Sequence, residues 1–412
     1  MSTRESEFKT LAEVGHVGRG KSRHRPRNDP DLYGGEFPFI QTGDVKHAPF
    51  YLSDYSQTYN ERGLAQSKLW PPGTLCITIA ANIADTAILT IPACFPDSIL
   101  GFQPQAEMAD VRYVKYCLDG FRGHLEQISK GTTQDNLSLD KLLKLRFWFP
   151  DLDRQKKIAA ILSTYDDLIA NNQRRIALLE SMAEEIYREW FVRMRFPGCG
   201  TAEFDKGRPR TWAQTTLGAV ARFTMGQSPS SEHYNESADG LPFHQGVGTY
   251  GSRYPLHTTF CSVPGRMAKA GDILFSVRAP VGRLNIADTD LIIGRGLSAI
   301  RHVEGANSYL FYLLRVTFAN EDMIGNGSIF NSVGKDELSG FQLLKPPAEL
   351  VERFEKLVNP IDQELAVLYK QQDHLQATRD ALLPRLISGK LRVDQLNIQA
   401  PPSMRAETAQ AV

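Results

Sequence analysis

Two long stretches of the chain carry apolar residues at a spacing of three and four, which is typical of one buried stripe on an α-helix. The first stretch follows Pro150 and the second follows Pro346. The two stripes consist of Ile158, Ile161, Leu162, Tyr165, Leu168, Ile169, Ile176, Leu179, Met182, Ala183, Ile186 and Trp190, and of Phe354, Leu357, Val358, Ile361, Leu365, Leu368, Leu375 and Leu382. The spacing predicts two helices of about 36 residues and roughly 54 Å, each longer than the core of one small domain needs, so each requires a partner.

Start and stop signals bound both helices. Pro150 with the acidic Asp151 precedes the first helix, and Pro346 precedes the second. We expect Pro197-Gly198 to end the first helix and Pro384 to end or kink the second.

The roughly 150 residues before each helix have a different pattern, with short β-rich runs interrupted by Gly and Pro. Residues 74–80 and 272–278 are examples of such runs. The sequence therefore predicts an α+β fold, in which two mixed α/β domains are separated by two long antiparallel α-helices that form a coiled-coil-like spacer.

The two halves of the chain also resemble each other. Residues 131–137 align with residues 327–333, and at the same offset of 196 Asp140 aligns with Asp336 and Asp166 with Asp362. We infer an internal repeat with pseudo-two-fold symmetry. The predicted limits are residues 1–150 for the first domain, 151–196 for the central helix, 197–346 for the second domain, 347–390 for the C-terminal helix and 391–412 for a flexible tail.

Composition narrows the class of protein. The chain has 412 residues, of which 42% are hydrophobic, and its 47 basic and 47 acidic residues cancel, so any nucleic-acid-binding surface must be local. The 5 cysteines are scattered without a C-x-x-C pair, which favours a reducing cytoplasm over a disulfide framework or a zinc ribbon. The polar start and the lack of a long apolar run lead us to expect a soluble, cytoplasmic protein.

Residues 15–22 match the G-x-x-x-x-G-K-S pattern of a phosphate-binding loop. A phosphate-binding loop opens a helix, whereas here two prolines follow without an apolar period, so we reject a nucleotide site. The alternative is an unopposed cationic run on a mobile loop that binds a DNA backbone or guanine edges, set against an ordinary solvated loop. The run consists of Arg19, Lys21, Arg23, Arg25 and Arg27.

Other motifs carry less information. Residues 246–251 match G-x-G-x-x-G, but neither a long strand before them nor a helix after them supports dinucleotide binding. Their aromatic and amide neighbours suit either a groove-facing loop or ordinary packing. Residues 226–230 form a turn-rich segment, and its Gln and Ser are types that contact phosphates and adenine edges. The segment is equally explained as a plain surface turn.

Catalytic patterns are not found. Asn359-Pro360 is the nearest fragment to the loop of an amino-methyltransferase, and it lacks the second proline and the aromatic residue. Pro150-Asp151 only hints at a nuclease, because no lysine lies in register for a metal site. No two histidines have ligand spacing on a helix.

Taken together, these residues resemble the specificity subunit of a type I restriction-modification system over nearly the whole chain. The helix signature of that family is similar to residues 155–163, and its C-terminal signature to residues 382–391. Residues 225–230, 271–282 and 293–297 of the second domain and residues 95–98 of the first are similar to its target-recognition domains. The start of the second helix, residues 346–353, matches the family less well.

The resemblance implies a non-catalytic subunit with two target-recognition domains, each of which reads one half of a bipartite site in double-stranded DNA. It implies as partners two modification subunits, which carry S-adenosylmethionine and methylate adenine, and restriction subunits, which use ATP and Mg²⁺. No cofactor or metal is then expected in this chain. The alternative from another class is a helical scaffold or adaptor without a nucleic-acid role, for which the zero net charge argues. An autonomous DNA methyltransferase has no motif in its favour.

We predict DNA-contacting residues on both domains from their polar or basic character and their place in these loops. Those of the first domain are Arg19, Lys21, Ser22, Arg23, Arg25, Gln41, Thr42, Lys130, Thr132 and Gln134; those of the second are Gln227, Ser228, Ser230, Tyr234, Asn235, Gln245, Arg278, Arg295 and Asn331.

Overall fold

The computed structural model describes residues 8–80, 83–125, 139–319, 323–324, 328–329 and 332–405. The chain divides into two compact units. The first unit takes in residues 1–174 and 370–412, and the second takes in residues 175–369. The first unit is therefore assembled from two separate stretches of sequence, whereas the second is continuous.

Two long helices confirm the prediction from the apolar stripes. The first long helix is Leu152–Tyr187, with 36 residues, and the second long helix is Ala348–Ile387, with 40 residues. The first continues into a π-helical turn, Arg188–Val192, so its helical backbone stops before the predicted Pro197. The second passes through Pro384 and ends at Ile387.

In the part of the first unit that the structure describes, the strands are mostly short and form two larger sheets. In spatial order, the five-stranded sheet consists of Gly15–Arg19, Ile99–Pro104, Leu75–Thr78, Thr86–Leu89 and Tyr51–Leu52, and the four-stranded sheet of Gln57–Tyr59, Tyr33–Phe39, Ala93–Cys94 and Leu69–Trp70. Phe8–Lys9 pairs with Phe147–Trp148. The shorter helices are Leu11–Val14, Thr42–His47, Glu61–Ala65, Val111–Gly120, Leu139–Lys144 and Pro402–Arg405, with a 3-10 turn at Pro30–Leu32.

The second unit has a similar inventory. In spatial order, its four-stranded sheet consists of Ala221–Met225, Leu297–His302, Ile273–Ser276 and Leu284–Ile286, and its five-stranded sheet of Tyr234–Asn235, Phe260–Cys261, Leu241–His244, Leu291–Ile293 and Met267–Ala268. The two-stranded pairs are Ala213–Thr216 with Gln342–Lys345, Phe204–Asp205 with Arg208–Pro209, and Met323–Ile324 with Ser328–Ile329. The shorter helices are Leu217–Val220, Asn307–Thr317 and Lys335–Ser339, with 3-10 turns at Cys199–Thr201, Ser231–His233 and Val247–Thr249.

The two β-rich runs predicted from the sequence are central strands of these sheets. Leu75–Thr78 and Ile273–Ser276 are buried along their whole length, as expected for apolar strands covered on both faces. A glycine with positive φ precedes each strand: Gly73 has φ 78° and Gly271 has φ 82°. Both positions need glycine, because other residues rarely adopt this left-handed backbone.

The segment assigned from sequence to a flexible tail packs against the first unit as far as the structure describes it. Val393 is 3% exposed and Met404 9%, and both share a core with Leu11, Leu75 and Leu386. Composition alone suggested a tail because these apolar residues are isolated among polar ones. Residues 406–412 lie outside the described residues.

Candidate nucleic-acid interface

An exposed polar cluster lies in the second unit where two parallel strands end together. Strand Leu241–His244 pairs in parallel with Leu291–Ile293. Because the carboxyl ends of parallel strands meet at one edge, Gln245 emerges beside Gly294 and Arg295. The Gly294 N–H donates to the His244 carbonyl at 2.8 Å, and the Gly296 N–H donates to the Gln245 carbonyl at 3.2 Å.

Ser228 joins this edge from a neighbouring loop. Its Oγ donates to Oε1 of Gln245 at 2.7 Å and accepts from the backbone N–H of Arg295 at 3.3 Å. The close approach requires glycine at position 226, since a Cβ there would lie 2.1 Å from the Gly294 carbonyl oxygen. Gln227, Ser228, Gln245 and Arg295 form what we call the glutamine cluster. It offers amide, hydroxyl and guanidinium groups on one exposed edge.

A buried histidine fixes the strand that ends in this cluster. His244 is 0% exposed, and its Nδ1 lies 2.7 Å from Oγ1 of Thr249. Its Nε2 lies 3.0 Å from Nδ1 of His257, whose Nε2 lies 3.0 Å from Asp288. Burial, reinforced by the neighbouring His257, lowers the pKa of His244 to about 4. The ring is therefore neutral at physiological pH and acts as a hydrogen-bonded support.

The first unit places comparable residues on a comparable frame. The backbone N–H of Lys21 donates to the Phe95 carbonyl at 3.0 Å, as that of Gln227 donates to the Ile293 carbonyl at 3.0 Å. Phe39 pairs in parallel with Cys94, as Phe243 does with Ile292. These bonds place Lys21, Ser22 and Gln41 where the second unit has Gln227, Ser228 and Gln245.

The details of the first-unit site differ. Nε2 of Gln41 donates to Oε1 of Gln57 at 2.6 Å, and both side chains line a cavity of about 350 Å³. Ser22 is 5% exposed, and its Oγ lies 3.5 Å from the hydroxyl of Tyr59. Ser22 therefore faces inward, whereas Lys21 is exposed.

The prediction of an unopposed cationic run on a loop is wrong in part. Arg19 belongs to a strand, Gly15–Arg19. Nη2 of Arg27 donates to both carboxylate oxygens of Asp97, at 2.8 and 3.0 Å, and Nη1 of Arg25 donates to the carbonyls of Ser22 and His24. Asp97 lies 70 residues after Arg27 in the sequence, so the sequence around the cationic run gave no sign of this ion pair. The side chains of Arg19, Lys21 and Arg23 are exposed and remain predicted contacts.

Sequence reasoning missed Lys68 and Gln57. The Lys68 Nζ lies 3.4 Å from the ring centroid of Trp70, and burial together with the charge of Lys21 lowers the pKa of Lys68. The two lysines therefore concentrate positive charge at one place. The one sequence signal for Lys68 was its position two residues before Trp70, which suits a cation–aromatic contact.

The sequence and the fold of this chain are similar to those of known proteins. Residues 3–181 match the family described as the type I restriction modification DNA specificity domain. A Methanocaldococcus jannaschii protein assigned as a type I restriction enzyme MjaX specificity subunit is 30% identical over 304 residues, which cover 72% of each chain. The chain belongs to the family of type I restriction enzyme specificity subunits.

Two further members of this family of specificity subunits cover nearly all of the chain. The type I restriction enzyme MjaIX specificity subunit of the same organism is 24% identical over 95% of this chain and 94% of its own length. The crystal structure of the type I restriction-modification system S subunit from M. genitalium shares the fold, with a TM-score of 0.61 at 15% identity. It covers 92% of this chain and 95% of the other.

The remaining predicted contacts of this specificity subunit lie around the two sites with differing exposure. Thr42 begins the helix after Gln41, and Ser230 is exposed before a 3-10 turn. The hydroxyl of Tyr234 donates to the Pro229 carbonyl at 2.8 Å, and Nδ2 of Asn235 donates to the Asp239 carbonyl at 2.9 Å, so both side chains stabilise local turns. Arg278 is exposed. Lys130, Thr132, Gln134 and Asn331 lie outside the described residues.

Two sequence patterns receive their structural explanation here. Residues 15–19 form a strand, whereas a nucleotide-binding site would need them as a loop, and residues 247–249 form a 3-10 turn within the G-x-G-x-x-G segment. Among the described residues, no group of three or more metal-binding side chains is assembled. No described helix is long and apolar enough to cross a membrane.

Proposed function

We propose that this chain is the non-catalytic subunit that reads DNA for a type I restriction-modification complex. Residues 1–150 and 197–346 would each read one half of a bipartite site. The observation that carries this proposal is the equivalent placement of Gln41 and Gln245, each just past the end of a strand of a parallel pair. Gln245 lies beside the exposed Arg295, and Gln41 lines a cavity with the exposed Arg27. A glutamine amide matches the N6 and N7 edge of adenine, and lysine or arginine contacts phosphate or guanine.

The two long helices would act as an antiparallel spacer between the readers. Contacts within each unit support this geometry. In the first unit, Arg379 near the end of the second long helix donates to Asp166 of the first at 2.7 Å. In the second unit, the hydroxyl of Tyr369 donates to Glu180 at 3.2 Å, and Arg175 donates to Glu364 at 2.5 Å. Roughly 54 Å of helix limits the separation of the half-sites to about 16 base pairs.

The same proposal assigns the chemistry to partners. Two modification subunits with S-adenosylmethionine would dock on this chain and methylate adenine, and restriction subunits with ATP and Mg²⁺ would join them. The chain itself would hold no cofactor. The names of its relatives support this division, because they describe specificity subunits of restriction enzymes.

Mapping methylation tests the proposal. The chain is co-expressed with the modification subunits of its system, and methylated sites are sequenced for the wild type, Gln41→Ala and Gln245→Ala. We expect each variant to relax one base of one half-site, and each to relax a different half. Losing a good bidentate contact costs about 1–3 kcal/mol of discrimination. Gln214→Ala, an exposed glutamine on strand Ala213–Thr216, is the matched control and should leave the site unchanged.

A second measurement separates the alternative functions. Duplex binding by the complex should weaken steeply with salt, because phosphate contacts release counterions. Salt-independent or absent binding would support the helical adaptor instead. Methylation by this chain alone would support an autonomous enzyme. A change at both half-sites in Gln245→Ala would contradict the assignment of one reader to each half.

A further inference from the structure

A deeply buried ion pair of the second unit attaches a reader loop to both long helices. The side chain of Arg253 is 1% exposed. Its Nη2 donates to Oδ1 of Asp362 on the second long helix at 2.5 Å, and its Nη1 lies 3.5 Å from Glu180 on the first. Its guanidinium carbon lies 4.7 Å from the ring centroid of Phe311. Burial by itself would lower the pKa of Arg253, but the charge of Asp362 and the further groups around it raise it above the ordinary value.

The first unit has Phe50 at the equivalent position. The Phe50 carbonyl accepts from the Ile88 N–H at 3.0 Å, as the Arg253 carbonyl accepts from the Ile286 N–H at 2.9 Å. The shorter helices Val111–Gly120 and Asn307–Thr317, which contact these loops, are also equivalent. Tyr116 donates to Asp166 at 2.5 Å, and the residues 196 positions later, Tyr312 and Asp362, form the same bond at 3.0 Å.

The cation and the aromatic ring have exchanged places between the two units. In the second unit the loop supplies the cation, Arg253, and the shorter helix Asn307–Thr317 supplies the ring, Phe311. In the first unit the loop supplies the ring, Phe50, and the shorter helix Val111–Gly120 supplies the cation, Lys115. The Lys115 Nζ lies 4.8 Å from the ring centroid of Phe50. Lys115 and Phe311 are themselves 196 positions apart. A cation over an aromatic face is favourable in either arrangement, whereas two neighbouring cations repel each other and two neighbouring rings lack the cation–aromatic attraction.

The loop that carries Arg253 leads to the glutamine cluster. The Leu256 N–H donates to the Thr249 carbonyl at 2.8 Å within the loop, and Nδ2 of Asn285 on strand Leu284–Ile286 donates to the Gly251 carbonyl at 3.1 Å. Residues 249–256 are therefore held by one bond within the loop and one from a neighbouring strand. Thr249 contacts His244, which directly precedes Gln245. A continuous set of contacts therefore connects the ion pair on the long helices to an exposed DNA-reading candidate.

We propose that Arg253 and Phe50 are positioning residues, which set how each reader is seated on the long helices through oppositely arranged cation–aromatic pairs. The proposal rests on the proposed function and deepens it. Neither residue would touch DNA. Each would determine the tolerated spacer between half-sites without determining the bases read.

The test uses the complex with its modification subunits and a plasmid library in which both half-sites are constant and the spacer varies. Arg253→Met keeps an apolar chain over Phe311 but removes the charge. The preference for the best spacer over spacers one base pair longer or shorter should fall roughly five- to tenfold, a common coupling factor between linked sites. The half-site bases should not change. Arg253→Lys retains the charge and should recover part of the preference.

Two controls separate positioning from general damage. Leu338→Ala removes a buried side chain on helix Lys335–Ser339 of the second unit and should reduce activity without changing the spacer preference. Arg210→Met disrupts an exposed ion pair with Glu203 and should change neither. An unchanged preference in Arg253→Met, or an equal change in Leu338→Ala, overturns the proposal.

The exchanged pair provides a second test in the first unit, independent of whether Arg253→Met folds. Phe50→Arg places two cations together, and Lys115→Phe leaves Asp119 without the partner that it holds at 2.8 Å. Each single variant should broaden the spacer preference, and the double variant should regain at least about half of the loss, because it recreates the arrangement of the second unit. A double variant no better than the worse single variant overturns the proposal. A wild-type complex that methylates no bipartite site overturns the proposed function and this inference together, whereas the outcomes above overturn the inference alone.

Discussion

Gln155 ties the first turn of the first long helix to the first unit, and its replacement is a sharp test of the packing described here. The side chain is 0% exposed. Its Nε2 donates to the carbonyls of Met108 and Pro150, at 3.0 and 2.8 Å, and its Oε1 accepts from the Asp110 N–H at 3.0 Å. Gln155→Leu keeps a similar volume and removes all three hydrogen bonds.

The expected loss follows from these three bonds. Each hydrogen bond contributes about 1 kcal/mol net, and a buried N–H left without a partner costs more, so the free energy of unfolding of the first unit should fall by roughly 2 to 4 kcal/mol. With a urea m value of about 2–3 kcal/mol/M, the unfolding midpoint should fall by about 1 M.

Tryptophan fluorescence can report on the first unit alone. The chain has 4 tryptophans, and replacing Trp190 and Trp212 with Phe leaves the two that lie in the first unit, Trp70 and Trp148. The matched control is Gln173→Leu, the same substitution at an exposed position of the same helix. If Gln155→Leu lowers the urea midpoint no more than Gln173→Leu does, the three hydrogen bonds do not contribute as argued.

Three further predictions follow from other parts of the chain. Inserting about four residues, one helical turn, near Asn171 should change the tolerated spacer and leave both half-sites alone, which methylation mapping checks; altered half-site bases would contradict a spacer role. The pKa of His244 is about 4 in the folded chain against about 6.5 when unfolded, so its contribution to stability is complete above pH 6.5 and is lost towards pH 4 at about 1.4 kcal/mol per unit. The difference in unfolding free energy between the wild type and His244→Asn should accordingly shrink as the pH falls, and a constant difference would refute this. Native alkylation followed by mass spectrometry should label Cys199, which is partly exposed, and spare the four buried cysteines, of which burial raises the pKa of Cys117 to about 12; equal labelling of all five would show that the cores open readily.

The long helices and the central strands could be predicted from sequence because their signals are local and repeated. The apolar stripe of the first long helix recurs at helical spacing along most of its length, and strand Leu75–Thr78 is buried throughout and starts with three apolar residues. The end of the first helix could not be predicted from Pro197 alone. After Tyr187 the backbone continues as the π turn Arg188–Val192, and Phe191 in this turn is buried in the core at 8% exposure.

The candidate sites were harder to predict because their key contacts join distant positions. Arg27 is opposed by Asp97, which is 70 residues away in sequence. Arg253 is held by Asp362, which is 109 residues away. Charge and side-chain type identify residues able to bind DNA, but they do not reveal which of them the fold has already paired.

The divided make-up of the first unit determines when it can be completed during synthesis. Its core contains Leu11 and Leu75 from early in the chain and also Leu386, Val393 and Met404 from the end. A ribosome therefore produces every residue of the second unit before it supplies these last apolar side chains. The second unit should fold first on the nascent polypeptide, while the core of the earlier-made first unit stays partly uncovered until residues 386–404 have been translated.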